Sequence, residues 1–299
     1  FAQTVVFGSA FTSAGIAALN TNQVGALTTD QVVALTSAQA AAMTTAQIAT
    51  LSTAQVAAIE TGDIAALKST QLLALKTTQV QALTTEQVQA LTSAGIAALS
   101  TAQAAALTTD QVVAITSVQV TALTTAQVAA LTTAQVGALE TDDFALLKTT
   151  QIAALKTAQV QALSTDQVVA LTTDQAQTLS NAQVAALTTA QTAALETADL
   201  VVLKTAQIAA LTTAQAGALT TEQVVALTSA QVQTLSSNQL QALSTEQVAA
   251  IETGDVAALK TTQVAALKTT QVQALTTEQV QALTSAGIAA LSTAQAAAL

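Results

Sequence analysis

The chain of 299 residues contains no cysteine, histidine, proline, tryptophan or tyrosine, and its only aromatic residues are four phenylalanines. The absence of cysteine excludes a disulfide framework and thiol chemistry. Without histidine or cysteine, the many serine and threonine hydroxyls have no usual base partner for nucleophilic catalysis. No phosphate-binding or dinucleotide-binding glycine pattern occurs, and aromatic residues for a sugar-hydrolysing cleft are nearly missing. We therefore expect no enzymatic activity and no cofactor.

Charge is also scarce: charged residues make up 8% of the chain, against about 25% in a typical domain. The net charge is −10, and all seven basic residues are lysines. Nucleic acids and anionic membrane surfaces are recognised by basic patches, which this composition does not supply. No apolar run approaches the roughly 20 residues that span a bilayer. We expect no nucleic-acid partner and no membrane insertion.

What the chain does contain is an eight-residue repeat of the form T-T-x-Q-V-x-A-L. Every eighth residue from 11 to 299 is leucine, and the register never slips. The exceptions in this column are Phe11, Met43, Ile59, Ile115 and Ile251. A longer repeat of 192 residues matches 23–107 to 215–299, and residues 84–107 recur letter for letter at 276–299. We predict a non-repeat lead at 1–10 and one repeat array over 11–299, which we expect to continue further.

Each octad has the features of a short capped helix. Threonine followed three positions later by glutamine is the capping-box pattern, in which each side chain satisfies a backbone N–H of the other residue. Valine and leucine then lie three apart, on one face of a helix. A helix of about six residues is not stable alone, because helix nucleation is costly. The sequence therefore predicts an all-α solenoid of very short capped helices, one per repeat, with the leucines inside.

Two other architectures are compatible with an eight-residue period. In one continuous helix, eight residues at about 100° each would rotate the leucine stripe by about 80° per repeat, so no fixed partner face would exist. This argues against a coiled coil. A β-solenoid is the alternative that stays open, since ladders of identical threonine, valine and leucine side chains suit stacked strands.

Lysine and glutamate follow the register by replacing the capping threonine in a few octads. If successive octads stack, these residues form short surface ion ladders, each pair contributing about 0–1 kcal/mol. The predicted ladder residues are Glu60, Lys68, Lys76, Glu140, Lys148, Lys156, Glu196, Lys204, Glu252, Lys260 and Lys268.

The glutamine column is interrupted by glycine at Gly15, Gly95 and Gly287 and by aspartate in four E-T-x-D octads. Two carboxylates three residues apart are weak candidates for calcium ligands, because calcium requires six or more oxygens. The favoured interpretation is that aspartate replaces glutamine near a helix N-terminus, where negative charge is stabilised. We therefore predict no metal site. The weak candidates are Glu60, Asp63, Glu140, Asp143, Glu196, Asp199, Glu252 and Asp255.

The stretch "LTTDQVVAI" at 107–115 resembles the first helix of transcription-activator-like effector repeats, which implies a helix here. The rest of that repeat and its basic character are missing, so the resemblance implies nothing about DNA. The whole array resembles octapeptide-repeat regions of large bacterial secreted or surface proteins, both adhesin-like and filament-forming.

Taken together, we expect a non-enzymatic extracellular or cell-surface structural segment. It would form a fibre, filament, stalk or spacer by solenoid stacking and lateral self-association. The alternative is a binding solenoid, either an adhesin for a surface glycan or protein receptor or an ice-binding protein that uses its threonine rows.

Exchanging Glu140 and Lys148 is expected to change the free energy of unfolding by less than about 1 kcal/mol, because exposed ion pairs contribute little. Urea titration of the double variant beside the parent chain measures this. A loss well above that range would show that the ladder has a larger structural role than we predict.

Overall fold

The computed structural model describes residues 11–299, so the predicted lead at 1–10 lies outside the described residues. The chain divides into two compact units, Phe1–Ala154 and Leu155–Leu299. The described residues form 36 short helices and no strand. The predicted all-α solenoid is confirmed within each unit, and the β-solenoid alternative is excluded for this part of the chain. That the array is a single solenoid stays a prediction.

The helices of both units are four to six residues long and begin at intervals of eight residues. The first unit contains α1 Ser13–Ala18, α2 Thr21–Gly25, α3 Thr29–Val33, α4 Ser37–Ala42, α5 Thr45–Thr50, α6 Thr53–Ala57, α7 Thr61–Ala66, α8 Ser69–Ala74, α9 Thr77–Gln81, α10 Thr85–Ala90, α11 Ser93–Ala98, α12 Thr101–Ala106, α13 Thr109–Val113, α14 Ser117–Ala122, α15 Thr125–Ala130, α16 Thr133–Ala138, α17 Thr141–Ala145 and α18 Thr149–Ala153. The second contains α19 Thr157–Gln161, α20 Thr165–Val169, α21 Thr173–Thr178, α22 Asn181–Ala186, α23 Thr189–Ala194, α24 Thr197–Val202, α25 Thr205–Ala209, α26 Thr213–Ala218, α27 Thr221–Ala226, α28 Ser229–Val232, α29 Ser237–Ala242, α30 Thr245–Ala250, α31 Thr253–Ala258, α32 Thr261–Ala266, α33 Thr269–Gln273, α34 Thr277–Ala282, α35 Ser285–Ala289 and α36 Thr293–Ala296.

Most helices begin at a threonine or serine that caps them. At α15, the backbone N–H of Gln127 donates to the Thr124 hydroxyl at 3.2 Å, and the Thr124 N–H donates to Gln127 Oε1 at 2.8 Å. This reciprocal pair is the predicted capping box. Where lysine is the cap, only half of the box forms, because the lysine side chain has no acceptor. The Lys68 N–H still donates to Gln71 Oε1 at 2.7 Å.

Many helices end where two consecutive residues adopt extended backbone. Leu51 follows α5 with φ −54° and ψ 139°, and Ser52 caps α6 with φ −70° and ψ 162°. This two-residue corner turns the chain without a left-handed residue, and no residue in the described range has a positive φ. The repeat therefore needs neither glycine nor proline at its turns.

Within each unit, a helix packs on the helix three places further along the chain, as α4 packs on α7. The valine and leucine columns face inward, and Val136 and Leu139 are 0% and 5% exposed. Fully burying such a side chain contributes about 1.5–3 kcal/mol. The predicted leucine core is confirmed through most of the array. The column is less buried where fewer described helices cover it, at Leu19, Leu27, Leu275, Leu291 and Leu299.

The glutamine column connects one turn of the coil to the next. Gln127 is 1% exposed, and its Nε2 donates to the carbonyl of Ile96 at 2.8 Å and to that of Leu99 at 2.7 Å. These acceptors lie 31 and 28 residues earlier, at the end of the helix four places before. Since each helix packs over the third helix before it and bonds to the fourth, a turn holds between three and four octads.

One glycine of this column lies in close contact with the turn below it. A Cβ at Gly95 would lie 2.9 Å from Cδ1 of Leu72. Leu72 occupies a core position that is usually valine. Its larger side chain extends towards Gly95, where the absence of a side chain leaves room for it.

Leu163→Asp is expected to lower the free energy of unfolding of the second unit by about 3 kcal/mol or more, because it buries a charge and leaves a cavity. Leu163 is 7% exposed. Thermal unfolding followed by circular dichroism measures the loss. Val169→Asp is the matched control, since Val169 is 43% exposed, and an equal loss there would contradict the assignment of the core.

Candidate functional site

The four E-T-x-D octads are the places where charged groups enter the buried glutamine column. Their aspartates Asp63, Asp143, Asp199 and Asp255 are 3–8% exposed. None of their glutamate caps, such as Glu60 before α7, makes a side-chain capping bond. These octads therefore lack both halves of the usual capping box, while their helices keep the same position in the coil.

Three of these carboxylates accept a hydrogen bond from a serine 26 residues earlier, on the helix that lies beneath. The distances from the serine Oγ to the aspartate Oδ1 are 2.8 Å for Ser37–Asp63, 2.6 Å for Ser117–Asp143 and 2.5 Å for Ser229–Asp255. Most residues of this surface column are threonine. Serine thus coincides with aspartate in the octad stacked on it, and the pair is a cross-coil contact that the repeat consensus does not contain.

Asp199 is the exception among the four. The residue 26 positions earlier is Thr173, and Asp199 receives no side-chain hydrogen bond there. Its Oδ2 is buried without a partner, as is Oδ2 of Asp63. Burial raises the pKa of Asp199 from 3.8 to about 6, and the nearby Glu196 contributes in the same direction. Burial also raises the pKa of Asp63, against the lowering effect of the Ser37 bond.

The calcium candidates do not come together as a cation site. Among the described residues, no group of three or more acidic side chains is arranged to hold a metal ion. Glu140, Asp142 and Asp143 line a surface groove of about 550 Å³ with Asp110. The inner carboxylate, Asp143, is already hydrogen-bonded to Ser117. That these four aspartates replace glutamine structurally stays a prediction.

The predicted ion-ladder residues occupy the caps of consecutive helices in the chain. Glu60, Lys68 and Lys76 precede α7, α8 and α9. Helices that pack together are three octads apart, so the residue one coil above Glu60 is Thr84. The predicted ladder assumes that successive octads stack. That these residues form ion pairs stays a prediction.

Carboxylates at the second helical position behave as expected for acids in a first turn. The pKa of Glu86 is lowered by hydrogen bonds from its own backbone N–H and from the hydroxyls of Thr84 and Thr85. The pKa values of Glu222 and Glu246 are lowered by the same local pattern. These exposed acids need no further partner.

The second role of glutamine, which is to donate hydrogen bonds to carbonyls of the preceding turn, was not predicted from the sequence. The capping box uses only the side-chain oxygen, so glutamate would serve equally well. The column never contains glutamate. The absence of glutamate from this column is the sequence signal for the second role of glutamine. Only an amide supplies both an acceptor for the cap and a donor for a distant carbonyl.

The repeat matches a known protein family. The family model described as the ALTTAQ repeat matches residues 9–37, 56–93, 89–117, 113–141, 136–173, 192–229, 224–250 and 248–285. The chain belongs to the ALTTAQ repeat family. In the structure, the letters of the name run from the last helical alanine, through the buried leucine and the cap, to the bridging glutamine. No curated protein matches the chain.

None of the ALTTAQ helices in residues 11–299 has the length and apolar character needed to cross a membrane.

Gln127→Glu tests the bridging amide. The variant keeps the acceptor for Thr124 but removes the donor to Ile96 and Leu99, leaving two buried carbonyls opposite a carboxylate. We expect a loss of about 2–3 kcal/mol in the free energy of unfolding at pH 7, reduced at pH 4 where the acid can donate. Urea titration at both pH values measures the loss. Gln89→Glu on the exposed face is the control, and equal losses in the two variants would contradict the proposed role.

Proposed function

We propose that this ALTTAQ repeat chain is a non-enzymatic structural segment of a bacterial secreted or surface protein, serving as a spacer, stalk or filament. The observation that carries the proposal is the uniformity of its internal bonding. Glutamine amides bond to carbonyls 28 and 31 residues earlier in both units, for example from Gln87 and from Gln223. Any whole number of octads can be added to such a coil without changing the bonds of the others.

The distribution of chemistry supports a structural function. The buried positions are filled by aliphatic side chains and by glutamines whose amides are occupied in holding the coil together. The exposed positions are mainly threonine, serine, alanine and glutamine. A repeated surface of this kind offers no unique constellation of reactive groups, whereas length changes with every added octad. Stability in such an array is approximately a sum over neighbouring units.

Lateral self-association is part of the proposal. The residue after each core valine position is exposed or half-buried, and in several octads it is valine or leucine. Val113, Leu73 and Val225 are 42%, 54% and 43% exposed in this single column. Exposed apolar side chains that recur along the array favour contact between copies more than binding of a charged partner. The partner we propose is therefore another copy of the same repeat.

Deleting residues 212–235 removes three octads, and we expect the variant to remain helical and cooperative. Its maximum dimension in small-angle X-ray scattering should shrink by about 8–10 Å, the spacing of packed helices. Deleting residues 212–231 is the control, because it removes 20 residues and shifts the columns by half an octad. We expect this variant to lose helicity or unfold at lower temperature. Equal tolerance of both deletions, or an unchanged dimension in the first, would contradict the spacer proposal.

A further inference from the structure

The octads of Asp63 and Asp199 contain buried carboxyl oxygens that nothing in the coil satisfies. Glutamine at these positions would donate to the carbonyls 28 and 31 residues earlier, as it does throughout the coil. For Asp199 those carbonyls belong to Leu171 and Val168, and for Asp63 to Leu35 and Val32. An ionised aspartate cannot donate a hydrogen bond, whereas a protonated one has an O–H that can. The protonation state thus decides whether the octad has any donor in the glutamine column.

We propose that these two octads are pH-responsive joints of the coil, in which α24 and α7 are attached less firmly to the preceding turn when Asp199 and Asp63 are ionised, and more firmly when they carry a proton. The inference concerns regulation of the coil and does not depend on the spacer function. Asp199 is the stronger case, because it receives no hydrogen bond from the Thr173 hydroxyl, whereas the Ser37 hydroxyl donates to Asp63.

The charged groups around Asp199 do not relieve its burial. Its own helix carries Glu196 at the cap. The helices packed on either side, α21 and α27, carry Asp174 and Glu222. All three are carboxylates, as is Asp166 on α20, the helix that carries the carbonyl of Val168. The nearest lysine in the chain, Lys204, caps the following helix. Like charges disfavour ionisation of the buried group.

The charged groups packed around Asp63 are also acidic. Glu60 caps its own helix, α10 above it carries Glu86, and α4 beneath it carries no charged residue. Lys68 caps the following helix. Ser37 supplies one hydrogen bond, so the second oxygen alone remains without a partner.

The direction of the pH effect follows from the pKa of Asp199, which is about 6 in the folded chain against an ordinary value of 3.8. Between these two pH values the folded state holds the proton and the unfolded state does not. The free energy of unfolding contributed by this octad therefore rises as the pH falls from about 6 towards 3.8, and falls again on return to neutral pH. Asp63 acts in the same direction.

The experiment is hydrogen exchange of the amides of α24, followed by mass spectrometry between pH 7.5 and pH 5 and corrected for intrinsic exchange rates. In the parent chain we expect protection of α24 to rise on the order of tenfold towards the lower pH, one pKa unit being a factor of ten. Asp199→Gln restores the consensus residue, so it should fold. It should raise protection at pH 7.5 and remove the pH dependence.

Two further variants separate the proposal from general effects of charge. Thr173→Ser introduces the serine found beneath the other three aspartates, and it should reduce the pH dependence while the carboxylate is retained. Glu278→Gln removes an exposed carboxylate of α34, which does not pack on α24, and it should leave the pH dependence unchanged. The proposal is overturned if the parent chain shows no rise, or if Asp199→Gln retains it.

Discussion

The structure depends on the hydrogen bonds of one side chain. The glutamine amide accepts from the backbone N–H of its own cap and donates to carbonyls at the end of an earlier helix. The first bond helps to start a helix, and the others attach it to the preceding turn. Helices of four to six residues are too short to persist alone. The same residue therefore supports the element and its tertiary contact, which explains why the column is so rarely changed.

The repeat supplies hydrogen-bond partners for the backbone groups at its helix ends. The ends of an α-helix leave backbone donors and acceptors without intrahelical partners. In most octads the donors at the helix start are met by threonine or serine and by glutamine Oε1, and the carbonyls at the helix end are met by a glutamine amide from a later helix. Polar groups are thus paired from turn to turn while valine and leucine fill the interior. The solenoid can consist of helices of only four to six residues because most helix ends have a partner in the same octad or on another turn.

The acidic octads show what happens when the pairing is altered. An ionised aspartate has no donor to replace the amide, so its oxygens need donors from elsewhere. Serine supplies a hydroxyl at three of the four positions. At Asp199 no such donor is present, and burial raises the pKa of the carboxyl group to about 6. A uniform scaffold thereby acquires local differences in chemistry without a change in its path, because the valine and leucine columns on either side are retained.

The sequence by itself determined the local structure: Thr124 and Gln127 are in capping-box spacing, and the interval from Val128 to Leu131 defines a helical face that must be buried. Both follow from interactions within one octad. Which octads meet was decided only by the tertiary structure, because every octad presents the same columns and any stacking number keeps leucine inside. In the structure, a turn holds between three and four octads. This stacking brings the Gln127 amide to the carbonyl of Leu99 and places Thr173, rather than a serine, beneath Asp199.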